Sequence, residues 1–487
     1  MIRLWFRNAL AYTNALPVKT VFMAAFLFCA LPVTVTTALI MPPGQAPDET
    51  SHLVRAAGLL HGAVMGVREP RFDQVMQPNA KVWASGVKAD TGLVTVSAFS
   101  VVDMNGRLVE TMQKFKILQS YAGDHALFYE YIPNTVQYFP IAYLPATLGL
   151  AAGLAVGATP FTCILLARLC MAAAFLALGL VTLRIAAYGE ALLLTVLLLP
   201  MTVFLAGSLN QDGLLIATAC LACAALTRGW RIFGLVALTC MLGSKPPYLL
   251  LLGAFLLPFS APGFWRRARA VALAVMPVLV WVALVSALVM VPLGTPPYHP
   301  GPLYTGDRSV LLDHADPGGN LHILLSKPSR FLTMAWDMWG DQGGWIWREA
   351  IGVLGSLQIF LSDSVYIGWS VAIAVAMLGL LVQVRPTRLG AADATLNAVT
   401  ILAIIAVTVW AISVGMYLSW DNLGAPEFGG VQGRYLLPLL PFMLFVVPQI
   451  RAIPRLPVLL PALPAFALGL YDIGDIPVQL VRAFYLQ

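Results

Sequence analysis

The stretch VFMAAFLFCALPVTVTTALI, Val21 to Ile40, followed without a break by MPPGQAPDETSHLVRA, Met41 to Ala56, decides how the chain is read. Twenty apolar residues are enough for one helix to cross a hydrocarbon core of about 30 Å. They are preceded by a basic segment, MIRLWFRNALAYTNALPVKT, which resembles the start of a signal peptide. The apolar run is too long for one, and no A-x-A-like site precedes the proline-rich exit, so it is expected to be a retained span. Similar apolar runs recur as far as Leu470, in a chain of 487 residues of which 59% are hydrophobic and 11% charged. Soluble domains carry roughly 25% charged residues. The expected class is therefore an all-α integral membrane protein, a bundle of about ten to thirteen spans by the count of apolar runs, because only helices satisfy backbone polar groups within each lipid-facing segment.

The net charge of +6 comes from arginines and lysines scattered beside apolar runs, which fits membrane orientation and not nucleic-acid binding. Arg184, Arg228 with Arg231, Arg266 with Arg267 and Arg269, Arg385 with Arg388, and Arg451 with Arg455 would face the cytoplasm. That assignment divides the chain into a cytoplasmic start and first span (1–41), a first outer loop (42–137), a block of spans (138–291), a second outer loop (292–350) and C-terminal spans (351–487). The first loop is expected to hold a small extramembrane structure, with a hairpin turn at Met104-Asn105-Gly106. Parity makes Phe139–Val156 a re-entrant or interfacial segment broken at Pro145. All six cysteines lie in apolar runs and are expected to be unpaired. Cys220 and Cys223 form a C-x-x-C, read as packing residues in preference to a redox pair.

Ionisable residues gather at the outer ends of these runs. Pro47 suits the first turn of a helix and Asp48 and Glu49 its positive end, so a helix is expected to start there. On it Asp48, His52 and Arg55 share a face. Simple capping competes with a reaction centre as the explanation. GSLNQDG (Gly207–Gly213) brings Asn210 and Asp212, GSKPPY (Gly243–Tyr248) brings Lys245, and GGVQGRYLLPLLP (Gly429–Pro441) brings Arg434 to the same side. Such residues at membrane depth are costly and are functional candidates, although Lys245 and Arg434 also suit snorkelling to lipid phosphates. FLTMAWDMWGDQGGWIW (Phe331–Trp347) supplies Trp336 and Trp339, which fit either an interfacial belt or a platform for sugar rings.

A span followed by proline and an Asp-Glu pair resembles the GT-C class of membrane glycosyltransferases. PPGQAPDETSH, the run from Pro200 to Asp212, Lys245-Pro246-Pro247 and VQGRYLLPLLP look more closely like domain of unknown function 2142, a family of bacterial membrane proteins grouped with GT-C folds, over roughly residues 20 to 450. The resemblance implies a GT-C-like bundle in the bacterial cytoplasmic (inner) membrane, its active site facing the periplasm or exterior. It implies transfer of a sugar from a polyprenyl-phosphate carrier to a glycan or lipid acceptor of the cell envelope, with inversion. Asp48 then becomes the base with Glu49 beside it, Lys245 and Arg434 hold the carrier phosphate, and Asn210, Asp212, His52 and Arg55 position substrate. A divalent cation, magnesium or manganese, is an open option at Asp48 and Asp212. The chain lacks the W-W-D-x-G signature of oligosaccharyltransferases, which argues against protein glycosylation. A transporter or flippase of a lipid-linked sugar is the main alternative, and a protein that binds a lipid-linked glycan without turnover is a third.

Overall fold

The computed structural model describes residues 18–72, 81–99, 112–258, 263–291, 316–383, 385, 391–426, 428–448 and 458–486. The first apolar run forms α1 (Val18–Ile40), about 35 Å long at 1.5 Å per residue and so long enough to span. Among the described residues, five helices have the length and apolar character of a span: Val18–Ile40, Pro160–Ile185, Phe264–Leu288, Asp363–Val382 and Ala392–Ser419. Shorter apolar helices, including Asp212–Thr227 and Arg231–Leu242, fill the space between them. The protein is an all-α membrane protein with a small β element. Its six cysteines are free thiols.

The centre of the bundle is built from segments that are apolar on every side, as burial from all directions requires. Glu190–Leu198 and Pro200–Ala206 are two short helices in which every residue is buried, separated at Leu199, where Pro200 starts the second. Asp212–Thr227 runs beside them and is buried along most of its length. Small residues let other elements approach closely. A Cβ on Gly149 of Leu144–Ala155 would lie 2.5 Å from the Cα of Ala167 in Pro160–Ile185, a backbone-to-backbone contact of the kind that glycine permits between membrane helices.

Several expected segments take other forms. Leu144–Ala155 is a 12-residue helix of about 18 Å, too short to cross alone. Pro145 opens that helix and does not break it, since proline is tolerated in the first turn. Pro246–Leu256 and Gly433–Phe445 are 3-10 segments; Pro438 and Pro441 cannot donate the backbone hydrogen bonds of a regular α-helix. The start of the expected C-terminal spans, residues 351–360, is the end of a helix and a two-stranded turn, Val353–Leu354 against Ile359–Phe360.

The described part of residues 292–350, read from the sequence as the second outer loop, is helical. Pro317–Ser326 is followed by Arg330–Gly352, here named the tryptophan helix, which buries Met334, Met338 and Ile346 on one face. Residues 42–137, read from the sequence as the first outer loop, contain the expected small structure, a three-stranded antiparallel sheet with Val67 opposite Gly86 and Gly86 opposite Tyr131. The hairpin turn expected at Met104–Gly106 lies outside the described residues. The last helix, Leu463–Tyr485, extends well past Leu470 and buries Asp472, whose Oδ2 accepts a 3.0 Å hydrogen bond from Trp369 Nε1.

Candidate functional site

The exit from the first span is held by a buried ion pair. Arg168, in the middle of Pro160–Ile185, donates through Nε to Glu49 Oε1 at 2.8 Å and through Nη2 to Oε2 at 2.6 Å. Both side chains are almost wholly buried. Arg168 also donates to the carbonyls of Ala38, Met41 and Pro42, while Glu49 accepts from the backbone N–H groups of Gly44 and Leu209. A buried charge needs this degree of compensation. Glu49 therefore ties the exit loop, the arginine span and the Leu209 turn together, which corrects the expectation that it shares the chemistry of Asp48: the structure leaves its carboxylate no open face.

Asp48 has the opposite surroundings. It precedes the helix Glu49–Leu60 in a left-handed conformation, φ 57°, and its side chain does not cap that helix. Left-handed backbone in a non-glycine residue carries strain, which Asp tolerates better than most. The carboxylate instead accepts from Arg434 Nη2 at 2.8 Å and from Asn134 Nδ2 at 3.2 Å, and 38% of the side chain is exposed. Burial works to raise its pKa, but Arg434, with His52 and Lys245 at longer range, outweighs it and holds the carboxyl below its ordinary value.

The four turns quoted from the sequence do meet. Arg434 is 2% exposed and lies between two acids, with Nε 3.4 Å from Asp212 Oδ2. Asp212 Oδ1 accepts a 2.6 Å bond from Lys245 Nζ, and Lys245 Nζ sits 4.2 Å from the centre of the Tyr435 ring. The result is an alternating row, Asp48, Arg434, Asp212, Lys245, in which each buried charge neighbours its opposite. Asn210 joins two of the turns, accepting from the Asp212 N–H and donating to the Pro47 carbonyl at 2.9 Å. Glu349 fixes the arginine turn by accepting from Gly433 N at 2.8 Å.

The remaining predicted residues are placed differently. Arg55 is fully buried and donates to the carbonyls of Ala63, Val64 and Tyr138, so it closes the helix onto the following chain and lines neither cavity at the charge row. His52 is buried behind Asp48, with Nδ1 2.7 Å from the Tyr143 hydroxyl and its ring stacked on Tyr138. Burial lowers its pKa to about 4 against the ordinary 6.5, so it is neutral at pH 7. Asp212 and Asn210 are buried supports with their bonds committed inside the protein. Trp336 and Trp339 are 81% and 39% exposed on the tryptophan helix and line neither cavity at the charge row. Their exposure fits interfacial anchoring and not a sugar platform.

Two cavities adjoin the row. One, of about 410 Å³, has Asp48, Asn134, Gln137 and Gln432 in its polar wall. The other, of about 370 Å³, is mostly apolar, reaches Lys245 and Tyr248, and is bounded by Val282, Val285 and Ile412 from two of the long apolar helices. Tyr138 and Tyr435 line both. Among the described residues no three His, Cys, Asp or Glu side chains gather as a metal site. Asp48 and Asp212 share Arg434 between them, and a guanidinium in that position does not fit a divalent cation held by the same two carboxylates.

A family described as predicted membrane protein (DUF2142) matches residues 31–443. The chain belongs to that family. The match includes every member of the charge row and ends before the final helix. No curated protein and no solved structure matches the chain. The family description names no reaction.

Arg168, Tyr138, Tyr143, Asn134, Gln432 and Tyr435 had not been singled out in the sequence. Arg168 was the most findable, as a lone arginine deep in an apolar run is by default paired or functional. The tyrosines carried no such signal, because aromatic residues are common at span ends.

Proposed function

We propose that the protein is a membrane glycosyltransferase that moves a sugar from a polyprenyl-phosphate carrier to a glycan or lipid acceptor. The observation that carries this reading is the order of surroundings along the site. An ionised carboxylate lines a polar cavity, and the adjoining apolar cavity, bounded by two span-length helices, has a lysine in its wall. A lipid-linked sugar has the same order of parts: polar sugar, phosphate, apolar chain.

In the proposed reaction an acceptor hydroxyl oxygen attacks the anomeric carbon while Asp48 takes its proton. The bond from that carbon to the carrier phosphate breaks, and the phosphate leaves with the electron pair, its charge met by Lys245. A single displacement inverts the anomeric configuration. Arg434 reaches neither cavity wall and acts by positioning Asp48 and keeping it ionised. The arginines at the other ends of the spans favour a cytoplasmic location for those ends, which supports a site on the outer face of a bacterial cytoplasmic membrane.

The test is a reconstituted-membrane assay with a panel of radiolabelled polyprenyl-phosphate sugars. Label appearing in acceptor glycan or lipid supports the proposal. Label that crosses the bilayer still attached to its carrier, with no transfer, identifies a flippase. Carrier that binds and neither reacts nor crosses identifies a binding protein.

A further inference from the structure

A third cavity, of about 530 Å³, lies at the opposite end of the bundle and is lined by Arg231, Arg266 and Arg267 together with Trp230 and Phe233. Its distance from the first site follows from the helix that connects them. Arg266 and Arg267 are in the first turn of Phe264–Leu288, and Ser286 near the other end of that helix lines both cavities of the charge row. Twenty residues of helix separate the two regions by about 30 Å.

The charge balance here is the reverse of that at Asp48. No carboxylate lines the cavity, and residues 213–306 contain neither Asp nor Glu. Arg231 and Arg267 line the same cavity wall. Each is anchored by a backbone carbonyl, Arg231 by Phe255 and Arg267 by Leu256 and Pro258, so the two cations are held near each other and not free to splay apart. Both helices that supply the arginines, Arg231–Leu242 and Phe264–Leu288, begin at this cavity without a side-chain cap or an acidic residue in the first turn. Cations at the positive end of a helix are unfavourable unless an anion is also present.

The rim shows what kind of anion fits. Trp230, Ile232, Phe233 and Trp265 are exposed, and an exposed aromatic and apolar rim is the pattern of a membrane interface. Leu273, Met276 and Val280, further along Phe264–Leu288, are exposed as well and offer an apolar track for acyl chains. We infer that this cavity binds the phosphate headgroup of an anionic phospholipid, with Arg231, Arg266 and Arg267 around the phosphate and the acyl chains against Phe264–Leu288. Basic pockets between membrane helices recognise such headgroups by charge, each nearby arginine adding about a fivefold preference.

The test uses the full-length protein in nanodiscs of phosphatidylcholine alone or with phosphatidylglycerol, with co-purifying lipid counted by mass spectrometry after detergent extraction. The expected result is retention of phosphatidylglycerol over phosphatidylcholine, weakened about fivefold in R266Q and on the order of a hundredfold in R231Q/R266Q/R267Q. Arg231 and Arg267 also hold backbone, so the thermal unfolding of each variant is recorded. R266Q, whose side chain is exposed, is the variant expected to fold as wild type. Equal retention of the two lipids, or an R266Q variant that folds normally and keeps full selectivity, overturns the inference. Displacement of phosphatidylglycerol by millimolar inorganic phosphate would also overturn it, by assigning the site to a small free phosphate.

Discussion

Replacing Arg168 with Met should destabilise the fold severely and should do so through Glu49. The arginine makes two bonds to the Glu49 carboxylate and reaches three carbonyls at the exit from the first span. Removing it leaves a buried carboxylate facing an apolar side chain, and breaking a buried pair from one side costs about 3–5 kcal/mol. Glu49→Gln removes the charge and keeps the shape, so it should cost less, and R168M made in the E49Q background should cost less than R168M alone. The coupling in that double-mutant cycle is expected to be about 2 kcal/mol or more. Equilibrium unfolding in mixed micelles supplies all four free energies. A cost below about 1 kcal/mol for R168M, or a coupling near zero, would refute the assignment of Glu49 as a structural tie. An E49Q variant that folds like wild type and has lost turnover altogether would return Glu49 to the chemistry.

Other outcomes follow from the same geometry. His52 has a folded pKa of about 4 against 6.5, so the unfolded chain binds the extra proton between those values and stability falls as pH drops from 6.5 to 4. The loss is about 3 kcal/mol, and H52Q should flatten that part of a pH-dependent unfolding curve. Gly149→Leu should destabilise by at least about 1–3 kcal/mol, because even its Cβ would meet the Ala167 backbone at 2.5 Å; an unfolding midpoint equal to wild type would contradict the close contact. Lys245→Gln is expected to lower kcat for a lipid-linked donor more than it raises KM, because the charge it meets grows as the phosphate departs, measured by steady-state kinetics with donor in detergent. Trp336→Ala with Trp339→Ala should leave both constants near wild type, since neither ring lines the cavities.

The parts of the site that were legible in the sequence share one property. Asp48, Asp212, Lys245 and Arg434 each sit where an apolar run ends in a proline- or glycine-rich turn, and a charge at that depth needs a partner. Their meeting as one alternating row follows. Neighbouring acids in a helix N-terminus look alike in sequence, whereas the left-handed backbone at Asp48 sends the carboxylates of Asp48 and Glu49 to different surroundings. The tryptophan helix was hidden by Gly340, Gly343 and Gly344 and by Asp337 and Asp341, which read as loop although Met334, Met338 and Ile346 keep a helical spacing. Apolar runs also overstated the regular spans, because run length alone does not separate a span from a buried short helix or a proline-rich 3-10 segment.

The most direct test of the central claim is single-turnover transfer from a labelled polyprenyl-phosphate sugar by wild type and Asp48→Asn in the same reconstituted membranes. Asn preserves the size of the side chain and removes its charge and its capacity as a base. The account predicts that both proteins fold and retain the carrier, and that D48N transfers at least about a hundredfold more slowly. Transfer by D48N at the wild-type rate would contradict it and return Asp48 to a supporting role at the end of the first span.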